Sequence, residues 1–432
     1  MNYKDKLITI DQAIALVKDN YKVAVSEGQC TPYGFMSQFH KINDTTKNVD
    51  FWCCRMAEKF PFLDVPNPTF TTNEIFMTKA TRGVANPKVY YVPTHLSRAG
   101  IAMLASGDID IFVVAATRPD ENGKMSMGLS ALHSKTLMKS SKIIIAEVNK
   151  YMPYTYGDTE FTLDDVDYVI EYDHQIPEIP TAPEDPRDEI IGKLIADQIN
   201  DGDCLQIGIG GIPNAVSRLL RTKKHLGIHT ELLGEGLVDL ALCGAVDGSK
   251  KGVDTGKIVM AITDGTEKVN KFIDHNPDVL LREASYTNSV FTLAQLDNQI
   301  SVNSSIEIDL TGQCCSESIG SRQFSGTGGQ SDTAYGSQRS EGGKSFMVMY
   351  STAMVKNAEG VRVATSKIVP QLKPGAVVSL HRNDVQYIAT EYGMVNLRGK
   401  NIAQRAEAMI SIAHPDFREE LRKQAIELGL IK

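Results

Sequence analysis

Short apolar runs bounded by Gly, Pro or charged residues alternate along the chain with segments whose apolar residues return every three or four positions. The first pattern predicts strands at KVYYVP (88–93), KIIIAEV (142–148), KIVMAI (257–262), SFMVMYS (345–351), VVSL (377–380) and VQYIAT (385–390). The second predicts helices over 96–106, 214–225, 402–413 and 416–428, the last two broken at His414-Pro415 because proline disfavours helix in the residue before it. Within 204–233, CLQIGI reads as a buried strand and GGIP as a turn. NAVSRLLRTKKHL then reads as a helix with Ala215, Val216, Leu219 and Leu220 on one face, and GIHTELL as a second strand. Strand, helix and strand at this length make a βαβ crossover, which sets the two strands parallel. The glycine turn and the far end of the second strand then meet at the sheet edge where open α/β sheets bind ligands.

The same order opens both halves of the chain. DQAIALVKDNYKVAVSEGQCTP (11–32) and RDEIIGKLIADQINDGDCLQIGIGGIP (187–213) each run helix, strand, Gly/Pro turn, and GDIDIFVVAATRP (107–119) echoes NSSIEIDLTGQ (303–313). Between them HQIPEIPTAPEDPRDE (174–189) carries Pro177, Pro180, Pro183 and Pro186 among acidic residues, a pattern that forbids continuous helix and makes a stiff linker. A weak duplication follows: two related open α/β domains with largely parallel sheets, over 1–180 and 187–432.

Composition narrows the function. The chain has 432 residues, more than one hydrophobic core normally serves, and a formal net charge of −8, which argues against a nucleic-acid partner. Seven cysteines, an odd number with no C-x-x-C pair, fit free thiols in a reducing compartment rather than disulfides or zinc. The start lacks an apolar signal core, and no apolar run is long enough to cross a membrane. A cytoplasmic protein without membrane attachment is expected. His225 and His229 stand four apart, but Gly227 and the predicted helix end between them spoil a metal-binding face.

Glu231, in HTELLGEG, lies at the predicted ligand edge beside the apolar Leu232 and Leu233. Position alone favours a salt-bridged or surface-facing carboxylate over a functional one. One functional alternative is a dinucleotide fold, with Gly208-x-Gly210 as fingerprint glycines and Glu231 as the ribose-binding acid, although Pro213 stands where the third glycine belongs. In the other, Glu231 is a nucleophile that attacks an activated acyl group to form a mixed anhydride, with backbone donors from FSGTGGQSD (324–332) at the oxyanion. By composition, 324–345 is a flexible Gly/Ser loop. A third alternative is a non-catalytic CoA- or nucleotide-binding module.

The motifs GIGGIPNAV, HTELLGEGLVDL, NSSIEIDLTGQ, SGTGGQSD and TEYG (390–393) are similar, in order and spacing, to the acetyl-CoA hydrolase/CoA-transferase family, and the resemblance spans essentially the whole chain. It implies two α/β domains of the CoA-transferase-like (NagB/RpiA) type with the active site between them, and a homodimer. It also implies exchange of CoA between a short-chain acyl-CoA, of 4-hydroxybutyryl or butyryl type, and acetate. Coenzyme A enters as substrate, with no permanently bound cofactor and no metal. Hydrolysis of a short-chain acyl-CoA is the neighbouring activity. The resemblance places the catalytic carboxylate at Glu231, and CoA contacts at Gly208, Ile209, Gly210, Gly211 and Ile212. The G-x-G-G loop becomes Gly326, Gly328 and Gly329, with Gly329 at the thioester or its oxyanion, and Glu391 becomes an orienting acid. Relatives often carry a CoA-contacting lysine directly after Ser-Thr-Ala. Here Ser351-Thr352-Ala353 is followed by Met354, and Lys356 is the candidate replacement. Asp120-Glu121-Asn122-Gly123 looks like the E-N-G motif of more distant CoA-transferases but reads as an Asn-Gly turn.

Overall fold

A computed structural model describes residues 3–179 and 183–432. The chain forms two compact units. The first comprises Met1–Pro180, Thr230–Gly234 and Lys257–Asn288; the second comprises Thr181–His229, Glu235–Gly256 and Ser289–Lys432. The sequence suggests a single boundary near 180, whereas the chain re-enters the first unit twice after it. The reason is apolar burial: Ala261, Ile262 and Ala284 join Ala24, Trp52, Phe112 and Val114 in one core cluster, with Leu232 packed against it.

The first unit is built on a seven-stranded parallel sheet. Its order is Tyr168–Glu171, Ser141–Val148, Ile109–Ala116, Lys22–Val25, Val49–Cys53, Phe70–Glu74 and Val89–Tyr91. Parallel sheets are covered on both faces, and alternate residues feed the two sides. Ala24, Trp52, Phe112 and Val114 enter one core cluster, while Val23, Val25, Phe51, Ile111 and Val113 enter another. Ile258–Ile262 pairs in parallel with Val279–Leu281 in the same unit.

In the second unit Cys204–Ile207 lies between Gln299–Ser304 and the start of Gly227–Leu232, parallel to both, as the βαβ pattern requires. The order continues through Lys344–Val348 and Tyr387–Thr390, still parallel, and ends on an antiparallel Gly393–Asn396. The central strand of each unit thus sits in a related order, which bears out the two related α/β halves. The echo between 107–119 and 303–313 is not part of that relation. The strand placed like Ile109–Ala116 is Gln299–Ser304, and Glu307–Asp309 belongs to a separate three-stranded sheet.

Local differences have local causes. The linker ends earlier than its prolines suggest, because Pro186 opens the helix Pro186–Ala196 behind an Asp185 N-cap, a position where proline's missing N–H costs nothing. Pro180, Thr181 and Ala182 lie outside the described residues. The helix expected over 214–225 is Gly211–Leu219: Pro213 is accommodated in its first turn, and the helical backbone is lost before His225, which has φ 59. VVSL forms no strand; only Leu380 makes a bridge, to Cys314. Part of the expected Gly/Ser loop is the helix Gln330–Ser337, held close to its neighbour because Gly336 faces Leu293. Asp120–Lys124 forms the expected turn, with the Asp120 carboxylate accepting from the Asn122 and Lys124 N–H groups. Among the described residues no helix is long and apolar enough to cross a membrane. All seven cysteines are free thiols.

Candidate active site

Parallel strands put all their carboxyl ends on one edge, and in the first unit that edge is rich in charge. Lys22–Val25 leads into Glu27, Val49–Cys53 into Arg55, and Phe70–Glu74 ends on Glu74. Glu231 near the end of Gly227–Leu232, Asp264 after Ile258–Ile262 and Asn288 after Ala284–Thr287 belong to the same unit. The buried Asn288 donates from Nδ2 to Glu231 Oε2 at 2.8 Å, which fixes the direction of that carboxylate. Arg55 pairs with the buried carboxylate of Asp264. Burial pulls the Arg55 pKa down, while Cys54, Glu231, Cys53 and Glu27 work in the opposite direction.

Behind these groups lies a second buried set. Glu27 accepts from the Ser130 hydroxyl at 2.7 Å and faces His133 Nε2 at 3.3 Å. Burial disfavours the charged imidazole of His133, but the Glu27 carboxylate overcomes it, and the net direction is up. Glu74 is pushed up to about 8 by burial. Cys30, Cys53 and Cys54 are pushed up as well, mainly by burial, so none of these thiols is a ready nucleophile at neutral pH.

The second unit carries the remaining sequence candidates on its own carboxyl edge. Gly208 directly follows Cys204–Ile207, and the exposed Ile209 leads to Gly210, whose φ of 125 only glycine adopts readily. Gly211 and Ile212 open the helix Gly211–Leu219. The reasons for two of these glycines differ. A Cβ on Gly211 would lie 2.1 Å from Asp188 Oδ2, so Gly211 admits a neighbouring helix. A Cβ on Gly208 would meet only Val302 O, in ordinary contact at 3.8 Å, so a methyl group there is not crowded. Gly326, Gly328 and Gly329 precede Gln330–Ser337, where the Gln330 amide donates to Ser304 O at 2.6 Å and ties the turn to the end of Gln299–Ser304.

Glu391 follows Tyr387–Thr390 and accepts from the Ser351 N–H at 2.8 Å and the Ser351 hydroxyl at 2.7 Å. Lys367 is pushed down to about 8 by burial, with Glu391 opposing. Arg187 stacks on Tyr350, whose hydroxyl donates to Asp188. Lys356 is exposed on the hairpin Thr352–Lys356/Arg362–Ser366. Gly208–Ile212, Gly328, Gly329 and Glu391 are therefore brought to one edge, while Lys356 stands on the hairpin that follows Ser351. His229 is a buried strand residue.

Several members of these clusters escape sequence reasoning. Arg55 and Glu27 could have been noticed as charges two residues beyond buried strands. Asn288, Asp264 and His133 sit in unremarkable local sequence, and only the fold assigns them a place. Among the described residues no group of three or more His, Cys, Asp or Glu side chains could hold a metal ion.

An oriented carboxylate at one parallel α/β edge, and a glycine turn at the carboxyl edge of the other unit, are the features of the two units that bear on function. Family models name the class: the acetyl-CoA hydrolase/transferase N-terminal domain matches residues 1–180 and the C-terminal domain matches 265–425. The chain belongs to the acetyl-CoA hydrolase/transferase family. It is 36% identical to a succinyl-CoA:cyclohexane-1-carboxylate CoA transferase of Geobacter metallireducens, covering 99% of this chain and 97% of that protein. It is 35% identical to a 4-hydroxybutyrate coenzyme A transferase of Clostridium kluyveri, covering 98% and 97%. Among solved structures, RipA from Yersinia pestis superposes with a TM-score of 0.91 at 30% identity, covering 99% of each chain.

Proposed function

We propose that this protein is a CoA-transferase that exchanges CoA between a short-chain acyl-CoA, of 4-hydroxybutyryl or butyryl type, and acetate, with Glu231 as nucleophile. A Glu231 oxygen attacks the thioester carbonyl and the CoA thiolate leaves, giving an acyl-glutamyl anhydride. The thiolate then attacks the glutamyl carbonyl of that anhydride and expels the first acid, leaving a glutamyl-CoA thioester. An incoming carboxylate runs the two steps in reverse, so the kinetics are ping-pong. Coenzyme A is a substrate here, and no resident cofactor or metal takes part. The turn Gly208–Ile212 and Lys356 are assigned to CoA. Gly328 and Gly329 are assigned to the developing oxyanion, and Glu391 to orientation through Ser351.

The observation that carries this reading is the Asn288–Glu231 hydrogen bond. It engages Oε2 from a buried donor and so aims the carboxylate. Kinship with full-length CoA-transferases supplies the acyl class. A cytoplasmic homodimer completes the proposal.

The test is direct. The enzyme is mixed with butyryl-CoA and acetate, and acetyl-CoA should accumulate. Free thiol without a new thioester would instead make it a hydrolase. Incubation with butyryl-CoA alone, borohydride reduction and peptide mass spectrometry should place the modification on Glu231; an adduct on any other residue overturns the assignment.

A further inference from the structure

Two hydrogen bonds fix where Glu231 stands in the first unit. The Leu233 N–H donates to Ile262 O at 3.1 Å, and the Thr263 hydroxyl donates to Leu233 O at 3.0 Å. Glu231 lies two residues before that tie, and Asp264 follows directly after it. Asp264 in turn pairs with Arg55, so the three stretches that make up this unit each bring one charge to the same end. The charge of Glu231 acts on Arg55 and on its neighbour Cys54.

Arg55 is held so that its guanidinium reaches outward. Its backbone is fixed by Gly28, whose N–H donates to Arg55 O at 3.0 Å. The Asp264 side chain is 0% exposed and that of Arg55 21%, so the acid is covered and the cation is not. Gly28 takes φ 62, and a Cβ there would lie 3.2 Å from Asp264 Oδ1 and 3.9 Å from Arg55 Nη1. The bare backbone therefore leaves room beside the pair. Asp264 meets Arg55 at one terminal nitrogen, and a guanidinium has more N–H donors than one carboxylate uses. What remains of the fork suits a second carboxylate.

The charge beside Arg55 changes during the reaction. In the free enzyme Glu231 is an anion, and in the transition state of the first half that charge is shared with the developing oxyanion. In the glutamyl-CoA form it is gone, because the Glu231 carbonyl is bonded to sulfur and the first acid has left with the charge. The incoming acid brings a charge back. Its oxygen attacks the glutamyl carbonyl and the thiolate leaves; the thiolate then attacks the acyl carbonyl, and Glu231 departs as a carboxylate.

We propose that Arg55 is the cation that receives the acceptor carboxylate, and that Glu231 itself occupies this place until it carries CoA. This rests on the CoA-transferase reading and adds a residue to it. It also gives the order of binding a physical cause. The acid is repelled from the free enzyme, where Glu231 is already the anion beside Arg55, and is admitted to the glutamyl-CoA form. The competing explanation is that Arg55 only neutralises Asp264. A neutralising cation supports the fold and serves both halves of the reaction alike.

Initial rates of the full-length enzyme, with butyryl-CoA and acetate both varied, yield kcat/KM for each substrate. In a ping-pong reaction each ratio reports its own half. Arg55→Met/Asp264→Leu removes the pair without stranding a buried charge. It should lower kcat/KM for acetate about tenfold or more and leave kcat/KM for butyryl-CoA within about twofold, because only the acetate half begins at an uncharged Glu231. Arg55→Lys, which keeps a cation, should hold kcat/KM for acetate within about threefold of wild type. Equal falls in the two ratios, no fall in either, or a lysine variant as slow toward acetate as the double variant overturns the assignment. A wild type that forms no acetyl-CoA refutes the transferase reading and this assignment with it, whereas exchange with equal falls refutes the assignment alone.

Discussion

Asn288 and Glu231 lie 57 positions apart and meet through a 2.8 Å hydrogen bond from Nδ2 to Oε2. The donor is fully buried, so its direction is set by packing and not by solvent. Asn288→Ala is expected to lower kcat on the order of a hundredfold, the typical cost of a small misplacement of a reacting group, with KM for acyl-CoA little changed. Steady-state kinetics on a variant with unaltered circular dichroism checks this. An unchanged kcat would remove the orienting role from Asn288.

Arg55 and Asp264 make a second long-range relationship, of stability rather than direction. Arg55→Met leaves the Asp264 carboxylate in a buried site without its cation and should destabilise the protein by about 3–5 kcal/mol. The double variant Arg55→Met/Asp264→Leu should recover much of that loss, because the uncompensated charge is gone. Denaturant midpoints of the two single variants and the double variant decide; additive losses would contradict the pairing.

The glycines of 208–211 make a paired prediction. Gly211→Ala forces a methyl group against Asp188 and should cost about 1–3 kcal/mol in stability. Gly208→Ala meets no crowding, so its melting temperature should stay near that of wild type while KM for acyl-CoA rises. If instead Gly208→Ala unfolds the protein and Gly211→Ala is silent, the two assignments are reversed.

Glu147 gives a pH prediction. It is fully buried and pushed up to about 7, burial outweighing the two N–H groups of Gly34 and Phe35 that it accepts from at 2.8 Å. The folded state therefore holds this proton more tightly than the unfolded chain. The resulting stability is complete below about pH 4.5 and is lost as pH rises through about 7. Glu147→Gln should shrink the difference between melting temperatures measured at pH 5 and pH 8. A variant with the same pH slope as wild type would show that Glu147 does not titrate there.

Much of this architecture is legible in the sequence because it is local. Cys204–Ile207, Gly227–Leu232 and the helix between them follow from a strand-length apolar run, a Gly/Pro turn and one apolar helical face. The halt at His414-Pro415 follows from proline stereochemistry alone. Glu231 could be singled out because a carboxylate at the end of a buried strand is chemically conspicuous. Its surroundings could not. Asn288, Arg55 and Asp264 approach it, or one another, only through tertiary folding, and nothing in their neighbours announces it. VVSL fails as a strand for a related reason: Val377 and Val378 are left exposed, so their β-propensity finds no partner. Pro186, counted with the linker, shows the converse, since one residue type suits both an extended spacer and the first turn of a helix.

The return of 230–234 and 257–288 to the first unit bears on how the gene product can be divided. The proline-rich stretch invites a cut near residue 180, yet a fragment ending there would lack Ala261, Ile262 and Ala284 and leave a hole in its own interior. The complementary fragment would keep Glu231 but strip it of the Arg55 neighbourhood. A cut near residue 180 therefore divides one interior between two pieces, each of which would need the other to fill it.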